Sequence, residues 1–402
     1  MLTNYFKIAW RYLVKSRLYA TVNILGLALG MTSCLLIGVY IFHELSYDHF
    51  NKNADRIARV TMDYNSGDAA TKTAVTGTKV GPQIKRTFPQ VEEFVRLFKS
   101  SRVIGYREKL FDEKNFLYAD PSFFHIFSFP LLSGNPATVL DAPDKIVLSQ
   151  TMSKKYFAGE DPVGKTLKVG TKDMIVSGVA ADVPGNSQIK FDFVASFMVL
   201  GAAKEEKWWE ANYITYLLLH PSQPIPVLGK QLAAYMKQVS RDELKMTGTN
   251  YLTYHLEPLT RVHLYSPLAG LEPNNNIVYI YILGMVALLI LLIAGVNYTN
   301  LSTAQAAGRT GEVGMRKVMG AGKWEIFYQF ICESFLLTGV AVVLSLVLST
   351  LLLPYFNQLV GQDFEGRDLL NPVSITYLVT VAGIVALAAG AYPAFILSNG
   401  KS

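Results

Sequence analysis

The sequence predicts a membrane protein, built as an α-helical four-span bundle with one large extracytoplasmic α+β domain. Half of the 402 residues are hydrophobic and only 17% are charged, against roughly 25% charged residues in soluble domains. The charges are segregated, so that four long windows contain very few of them. Windows of about 20 apolar residues or more are long enough to cross a bilayer as helices. A polar stretch, residues 43–276, separates the first window from the other three.

Hydropathy and charge divide the chain into nine segments. The predicted segments are an interfacial amphipathic helix at 1–17, span 1 at 18–42, the extracytoplasmic domain at 43–276, span 2 at 277–301, a cytoplasmic coupling loop at 302–325, span 3 at 326–353, an outer loop at 354–371, span 4 at 372–396 and a cytoplasmic tail at 397–402. Basic residues collect before span 1 and in the coupling loop, whereas the outer loop is acidic. Because positive charge stays on the cytoplasmic side, both termini are predicted to be cytoplasmic.

The first 17 residues predict an amphipathic helix in contact with membrane lipid, and a positively charged flank with no defined helix is the alternative. Leu2, Phe6 and Trp10 recur at helical spacing, and Lys7 and Arg11 fall on the other side. Such a helix lies in the membrane interface, with its apolar side in lipid and its cations facing anionic headgroups.

The polar stretch reads as an α+β domain, with a ferredoxin-like core as one option. Candidate strands are Arg56–Asp63, Phe116–Ala119, Lys145–Leu148, Thr166–Val169, Asp173–Val179, Tyr213–Leu219 and Thr253–Pro258; candidate helices are Val80–Thr87, Ser149–Phe157 and Val227–Ser240. Strands that alternate with helices favour this class. Both ends of the domain must return to the membrane, so residues 43–95 and 210–275 are expected to meet, with the middle as an insertion.

Four residues inside the spans are unusual. Gly26 and Gly30 form a GxxxG pair, which permits close helix packing or a dimer contact. Asn297 and Glu333 are intramembrane polar residues, and Glu333 is a lone carboxylate. An ionisable group in a span is costly and usually faces protein or water. Two readings of Glu333 stay open: a packing or coupling role beneath the coupling loop, or a side chain that snorkels to the interface.

The most distinctive stretch is residues 309–324, RTGEVGMRKVMGAGKW. It carries four cations and one carboxylate, Glu312, and it is rich in glycine. Written as a helix, Glu312 and Arg316 share one face. Glycines would let another backbone approach closely. From the residues alone, a docking element and a plain basic connecting loop are equally good interpretations.

The order R-x-G-E-[IV]-G-[LM]-R-K-x-[ML]-G-A resembles the signature loop of the MacB/FtsX family of ABC-transporter permeases. The matching positions are Arg309, Glu312, Gly314, Arg316, Lys317, Gly320 and Ala321. The run from DPSFFHIFSFPLLSGNP through VSGVAADVPGNS is similar to the extracytoplasmic domain of that family, the MacB-like periplasmic core.

The resemblance implies a permease subunit in the bacterial plasma membrane. A separate cytosolic ABC ATPase would dock on the coupling loop and hold ATP and Mg²⁺, with no cofactor in this chain. The work would be the export or extraction of an extracytoplasmic substrate such as a drug, peptide or lipoprotein. The implied partners are a second permease subunit, in a homodimer or as the paired half of a longer duplicated permease, and an envelope adaptor protein.

Other chemistry finds little support in the sequence. No nucleophile, zinc-protease or CxxC motif appears, so no enzyme activity and no metal site are predicted. Cys34 and Cys332 both fall in apolar windows and are not expected to pair. The net charge of +6 is read as an orientation signal, so nucleic acid is not an expected partner. The stretch GEDPVGKT, residues 159–166, fits the P-loop expression, but a helical pattern precedes it and a strand pattern follows, which predicts a turn.

A different class stays open beside the permease. Four spans around an outer domain also suit a membrane-anchored sensor, or a scaffold that regulates a cell-envelope partner such as a cell-wall hydrolase. The predicted inner segments are short, so such a protein would need a separate output protein.

Overall fold

The computed structural model describes residues 17–67 and 69–399 of the chain. These residues divide into two compact units. The first unit joins Met1–His43 to Val278–Ser402, and the second is Glu44–Ile277. The chain therefore leaves the first unit after one helix and returns to it for the rest.

Helices dominate the first unit, and both helices and strands build the second. The helices are α1 (Arg17–Leu45), α2 (Val80–Thr87), α3 (Phe123–Ile126), α4 (Gln150–Phe157), α5 (Ile225–Asp242), α6 (Leu259–Tyr265), α7 (Ile277–Ala307), α8 (Thr310–Val318), α9 (Lys323–Val360), α10 (Gly366–Leu369) and α11 (Pro372–Asn399). The strands are β1 (Ile57–Ser66), β2 (Ala69–Thr73), β3 (Val91–Tyr106), β4 (Lys109–Ala119), β5 (Leu131–Ser133), β6 (Lys145–Ser149), β7 (Thr166–Val169), β8 (Lys172–Ala180), β9 (Phe193–Ser196), β10 (Ile214–Leu219) and β11 (Tyr251–Pro258).

All four predicted spans are helices long and apolar enough to cross a membrane, namely α1, α7, α9 and α11. The helix that contains the predicted span 3 extends beyond the predicted end of that span. The outer loop was expected to begin at Pro354, but α9 continues through this proline to Val360. A membrane helix tolerates an internal proline when its surroundings satisfy the freed backbone groups. The helix stops at Gly361, whose φ of +66° suits glycine and whose N–H donates to Asn357 O at 2.8 Å.

Two terminal predictions fall largely outside the described residues. Of the interfacial helix predicted at 1–17, only Arg17 is described; of the tail predicted at 397–402, only residues 397–399 are. Both stay predictions.

The GxxxG pair lies where the first two spans approach each other. A Cβ atom built on Gly30 would stand only 2.9 Å from the Cβ of Ala294 in α7. A larger residue at position 30 would push the two helices apart. Close packing within the chain is therefore the role that the structure gives to Gly30.

The ferredoxin-like option for the outer domain is confirmed. Four strands have the order β11–β1–β10–β3, each antiparallel to its neighbours. Helix α2 lies between β1 and β3 in the chain, and α5 between β10 and β11. This β-α-β-β-α-β connectivity is the split βαβ arrangement. The expected meeting of residues 43–95 with 210–275 is thus a strand pairing, since β1 pairs with both β10 and β11.

The middle of the domain is inserted between β3 and β10. Its strands form a ring that closes on itself, in the order β3–β4–β9–β6–β8–β7 and back to β3. Ile104, Phe116, Leu148, Val176 and Phe193 belong to the buried apolar cluster of this ring. The insertion is a small barrel that shares β3 with the ferredoxin-like core, and we call it the insertion barrel.

Candidate functional site

Residues 309–324 fold as the short helix α8 and a tight corner into α9. At the end of α8, the N–H of Ala321 donates to Arg316 O at 3.0 Å. The N–H of Gly320 donates to Lys317 O, also at 3.0 Å. This pair of bonds is a Schellman motif, and Gly320 takes its left-handed position with a φ of +95°. The Gly-Ala at the end of the signature is therefore the chemistry of a helix stop.

A buried ion pair joins the start of α8 to α9. Arg309 Nη1 donates to Glu333 Oε2 at 2.8 Å, and Arg309 Nη2 donates to Glu333 Oε1 at 3.2 Å. The guanidinium also lies 4.9 Å from the ring centroid of Phe330. Glu333 is only 8% exposed. Of the two readings of this residue, the structure shows a carboxylate that packs against protein beneath the coupling loop.

The second arginine of the signature reaches the same face of α9. Arg316 Nη1 donates to Gln329 Oε1 at 2.7 Å. Gln329 Nε2 in turn donates to Glu333 Oε1 at 3.2 Å. Arg309, Arg316, Gln329 and Glu333 therefore form one continuous set of hydrogen bonds, which we call the anchor network. It holds α8 against α9 at two points.

The other side of α8 is open and largely apolar. Met315, Val318 and Met319 are 66%, 83% and 75% exposed. A Cβ atom built on Gly311 or Gly314 would meet no atom within 4 Å. Contiguous exposed apolar side chains mark interaction surfaces. We call Met315, Val318 and Met319 the open face.

The structure gives fewer contacts for the remaining predicted site residues. Lys317 is half-buried on α8. Glu312 lies on α8, but its side chain is outside the described part of the chain. Asn297 is exposed on α7, and its Nδ2 would lie 3.5 Å from a Cβ atom built on Gly26. No hydrogen bond described for residues 17–67 and 69–399 joins Asn297 to the anchor network.

Sequence reasoning missed Gln329 and the open face. Gln329 stands one helical turn before Glu333 in α9, and that spacing could have paired them. Met315, Val318 and Met319 recur at helical spacing. The four cations among residues 309–324 are a stronger sequence signal than this apolar stripe.

The P-loop-like stretch 159–166 is a turn, as predicted. It follows α4 and leads into β7, the reverse of the strand-then-helix order that phosphate binding needs. Gly159 and Gly164 have φ values of +94° and +82°. Lys165 pairs with Glu160 at the surface.

The cysteines and the metal-binding residue types give no further site among the described residues. Cys34 and Cys332 are both free thiols, in line with the expectation that they do not pair. Within residues 17–67 and 69–399, no group of three or more His, Cys, Asp or Glu side chains could hold a metal ion.

Two protein-family models match the chain. The MacB-like periplasmic core domain matches residues 20–234. The FtsX-like permease C-terminal region matches residues 284–401. The first covers more than half of the chain.

Individual proteins are similar over large parts of the chain. The macrolide export ATP-binding/permease protein MacB of Hahella chejuensis is 21% identical over 97% of this chain and 58% of its own length. The ABC transporter permease YknZ of Bacillus subtilis is 26% identical over 48% of this chain and 44% of its own. The crystal structure of the periplasmic region of MacB from Actinobacillus actinomycetemcomitans covers 52% of this chain and 91% of its own, with 15% identity and a TM-score of 0.38. The chain spans about half the length of the relatives it matches.

The four apolar helices and the matched periplasmic-type domain describe a membrane protein with an extracytoplasmic domain. The signature loop and its anchor network lie within the region matched by the permease model. The chain belongs to the family of the MacB-like periplasmic core domain, here joined to an FtsX-like permease region.

Proposed function

We propose that the chain is the permease subunit of an ABC transporter of the MacB/FtsX type. A separate cytosolic ABC ATPase binds ATP and Mg²⁺ and hydrolyses the nucleotide, and this chain supplies neither a catalytic site nor a cofactor. Hydrolysis moves the extracytoplasmic domain, which exports or extracts a substrate such as a drug, peptide or lipoprotein. Matches to both family models, and relatives named as export permeases, support this proposal.

The two-sided character of α8 is the observation that carries the proposal. A docking element must offer a surface to its partner and must also pass force to a span. The open face offers that surface, with the half-buried Lys317 on the same helix. The anchor network ties α8 to α9 through Arg309 and Arg316. A plain connecting loop would need neither feature.

We base the proposed orientation on the distribution of charge. The protein lies in the bacterial plasma membrane with both termini and α8 in the cytoplasm and residues 44–277 outside it. The cations before α1 and in residues 302–325 support this topology, because positive charge is retained on the cytoplasmic side.

Helix α7 supports a second permease subunit. Of its residues, 277–307, all of which are described, only Ile280, Ala287, Tyr298 and Ala306 are buried. The other side chains of this strongly apolar helix are exposed or half-buried, so part of its surface is open to lipid or to another chain. We propose that part of it contacts a second permease subunit, in a homodimer or as a paired half.

The test places a charge on the open face. Val318→Glu should lower the affinity for the ATPase that co-purifies with the wild-type chain by at least tenfold, since each 1.4 kcal/mol is a factor of ten and burying an unpaired carboxylate costs about that much or more. ATPase co-purification and permease-stimulated hydrolysis are the readouts.

The matched control is Val227→Glu. Val227 is also an exposed helical valine, on α5 of the outer domain, so this change should leave ATPase binding intact. Wild-type co-purification and hydrolysis in Val318→Glu would show that α8 is only a connector. The sensor or scaffold alternative, which the family matches do not favour, predicts no permease-stimulated hydrolysis even in the wild-type chain.

A further inference from the structure

A buried carboxylate ties together the two places where the chain enters and leaves the outer domain. Glu44 lies in the last turn of α1, and its Oε2 accepts a hydrogen bond from His263 Nε2 at 2.8 Å. The same oxygen accepts a bond from Asn275 Nδ2 at 2.7 Å. Asn275 stands two residues before α7 begins. Glu44 thus joins the end of the first span helix to the segment that leads into the second.

The ring of His263 is held by a stacked ring and by hydrogen bonds at both of its nitrogens. Its ring stacks on Tyr47, with centroids 3.4 Å apart and planes within 2°. Its Nδ1 lies 3.1 Å from Gln188 Nε2, which also donates to Asn274 Oδ1 at 2.7 Å. With the amide as donor, Nδ1 is an acceptor and the proton sits on Nε2, facing Glu44. The imidazole therefore bridges Glu44 and Gln188 in a single orientation.

The loop that contains Gln188 also holds the residues just after α1. The N–H of Asp48 donates to Asn186 O at 2.9 Å. Asp48 Oδ1 accepts bonds from Ser187 Oγ and from Gln188 N, both at 3.1 Å. Asn186 Nδ2 donates to Ser46 Oγ at 2.9 Å. Residues 186–188 are therefore hydrogen-bonded to the chain at Ser46 and Asp48.

The other end of this loop, at Asp182, is hydrogen-bonded to the insertion barrel through Thr151. Asp182 accepts hydrogen bonds from Thr151 N at 2.9 Å and from Thr151 Oγ1 at 2.8 Å. Thr151 lies in the first turn of α4, directly after strand β6 of the barrel. Seven residues, 182–188, thus connect the end of α1 with the start of α4 through side-chain hydrogen bonds at both ends.

We propose that Glu44, Tyr47, Asp48, Gln188 and His263, which we call the hub, form a joint that passes displacement of α1 to the insertion barrel. His263 is the positioning residue, since it contacts Glu44, Tyr47 and Gln188. Buried charged and polar groups contribute little net stability but fix one geometry, and a joint needs that property. This inference rests on the proposed function, because the partner ATPase supplies the displacement.

Hydrogen–deuterium exchange of the full chain with its ATPase tests the joint. Adding ATP and vanadate to the wild-type complex should change the exchange of residues 310–318 and of residues 182–192. In His263→Ala the response at 310–318 should persist. The response at 182–192 should fall about fivefold or more, a usual scale for loss of coupling between sites. His263→Gln, which keeps a donor toward Glu44, should give an intermediate response.

The matched control is Ser240→Ala. Ser240 donates a buried hydrogen bond to Leu252 O elsewhere in the same domain, so its loss should lower the melting temperature and leave both responses intact. A full response at 182–192 in His263→Ala, or no response there in the wild type, would overturn the inference. If wild-type residues 310–318 do not respond to nucleotide, the proposed function fails and the joint fails with it.

Discussion

Arg309 and Glu333, 24 residues apart in the chain, form a two-bond ion pair that is buried between α8 and α9. The pair belongs to the anchor network, because Gln329 donates a hydrogen bond to Glu333 and accepts one from Arg316. A buried pair of this kind is costly to break from one side, because the remaining charge keeps no partner. The network therefore resists any movement of α8 that does not also move α9.

The ion pair gives the first prediction. Glu333→Ala should destabilise the helical unit by about 3–5 kcal/mol, since a buried arginine is left without its carboxylate. The double variant Arg309→Met/Glu333→Leu should recover most of that loss, because an apolar pair of similar volume is often neutral relative to a buried ion pair. Denaturant unfolding in detergent micelles measures both variants. A double variant that is less stable than Glu333→Ala would contradict this prediction. It would show that the ion pair stabilises the helical unit through more than the neutralisation of one buried charge by the other.

The second prediction concerns pH and Asp48. Burial raises the pKa of this carboxyl from 3.8 to about 7, although hydrogen bonds from Gln188 and Ser187 oppose the shift. The folded domain then holds a proton that the unfolded chain releases between about pH 4 and pH 7. Stability from this group is therefore greatest at low pH and falls as pH rises through that window, by at most about 1.4 kcal/mol per pH unit.

Melting of the chain between pH 5 and pH 8 checks this prediction. The wild type should melt at a higher temperature at pH 5.5 than at pH 8. Asp48→Asn should flatten the profile, since its Oδ1 can still accept the bonds from Ser187 and Gln188. Asp55→Asn, at an exposed carboxyl, should keep the wild-type slope. An unchanged slope in Asp48→Asn would assign the pH dependence to other groups.

The third prediction tests orientation. In a Cys34→Ala/Cys332→Ala background, a membrane-impermeant maleimide added from outside should label Glu108→Cys and spare Gly311→Cys. Glu108 is exposed in the turn between β3 and β4, and Gly311 is exposed on α8. The reverse labelling pattern would invert the proposed topology.

Local sequence patterns predicted many of the helices and strands. One long strand shows why such patterns fail elsewhere. The helix predicted at Val80–Thr87 and the strand predicted at Thr166–Val169 have the observed bounds. Strand β3, Val91–Tyr106, was missed. A register shift between Ser100 and Arg102 breaks its alternation, because the strand passes there from the ferredoxin-like core into the insertion barrel. A pattern with one period cannot describe a strand that serves two cores.

The sequence predicted which residues belong to the candidate site. It did not predict how those residues pair in space. The signature named Arg309 and Arg316 as residues that couple to the ATPase, which stays a prediction; it did not indicate that both bind α9. Pairing partners 24 and 13 residues away depend on the angle of the corner at Gly320, and no local periodicity encodes that angle. The lone carboxylate Glu333 was the better clue, since a buried charge must find a partner.

The last prediction compares two glycines of the same element. Gly320 has a φ of +95°, so Gly320→Ala should cost about 1–2 kcal/mol in the stability of the permease alone. Gly314 lies inside α8 with no atom within 4 Å of a built Cβ. Gly314→Ala should therefore leave the permease as stable or up to about 1 kcal/mol more stable, because alanine favours helix. If the partner's backbone approaches α8 at this glycine, the added methyl should nevertheless weaken ATPase binding. Melting of the permease alone and affinity for the ATPase separate the two effects; unchanged affinity in Gly314→Ala would mean that the glycine serves no close approach.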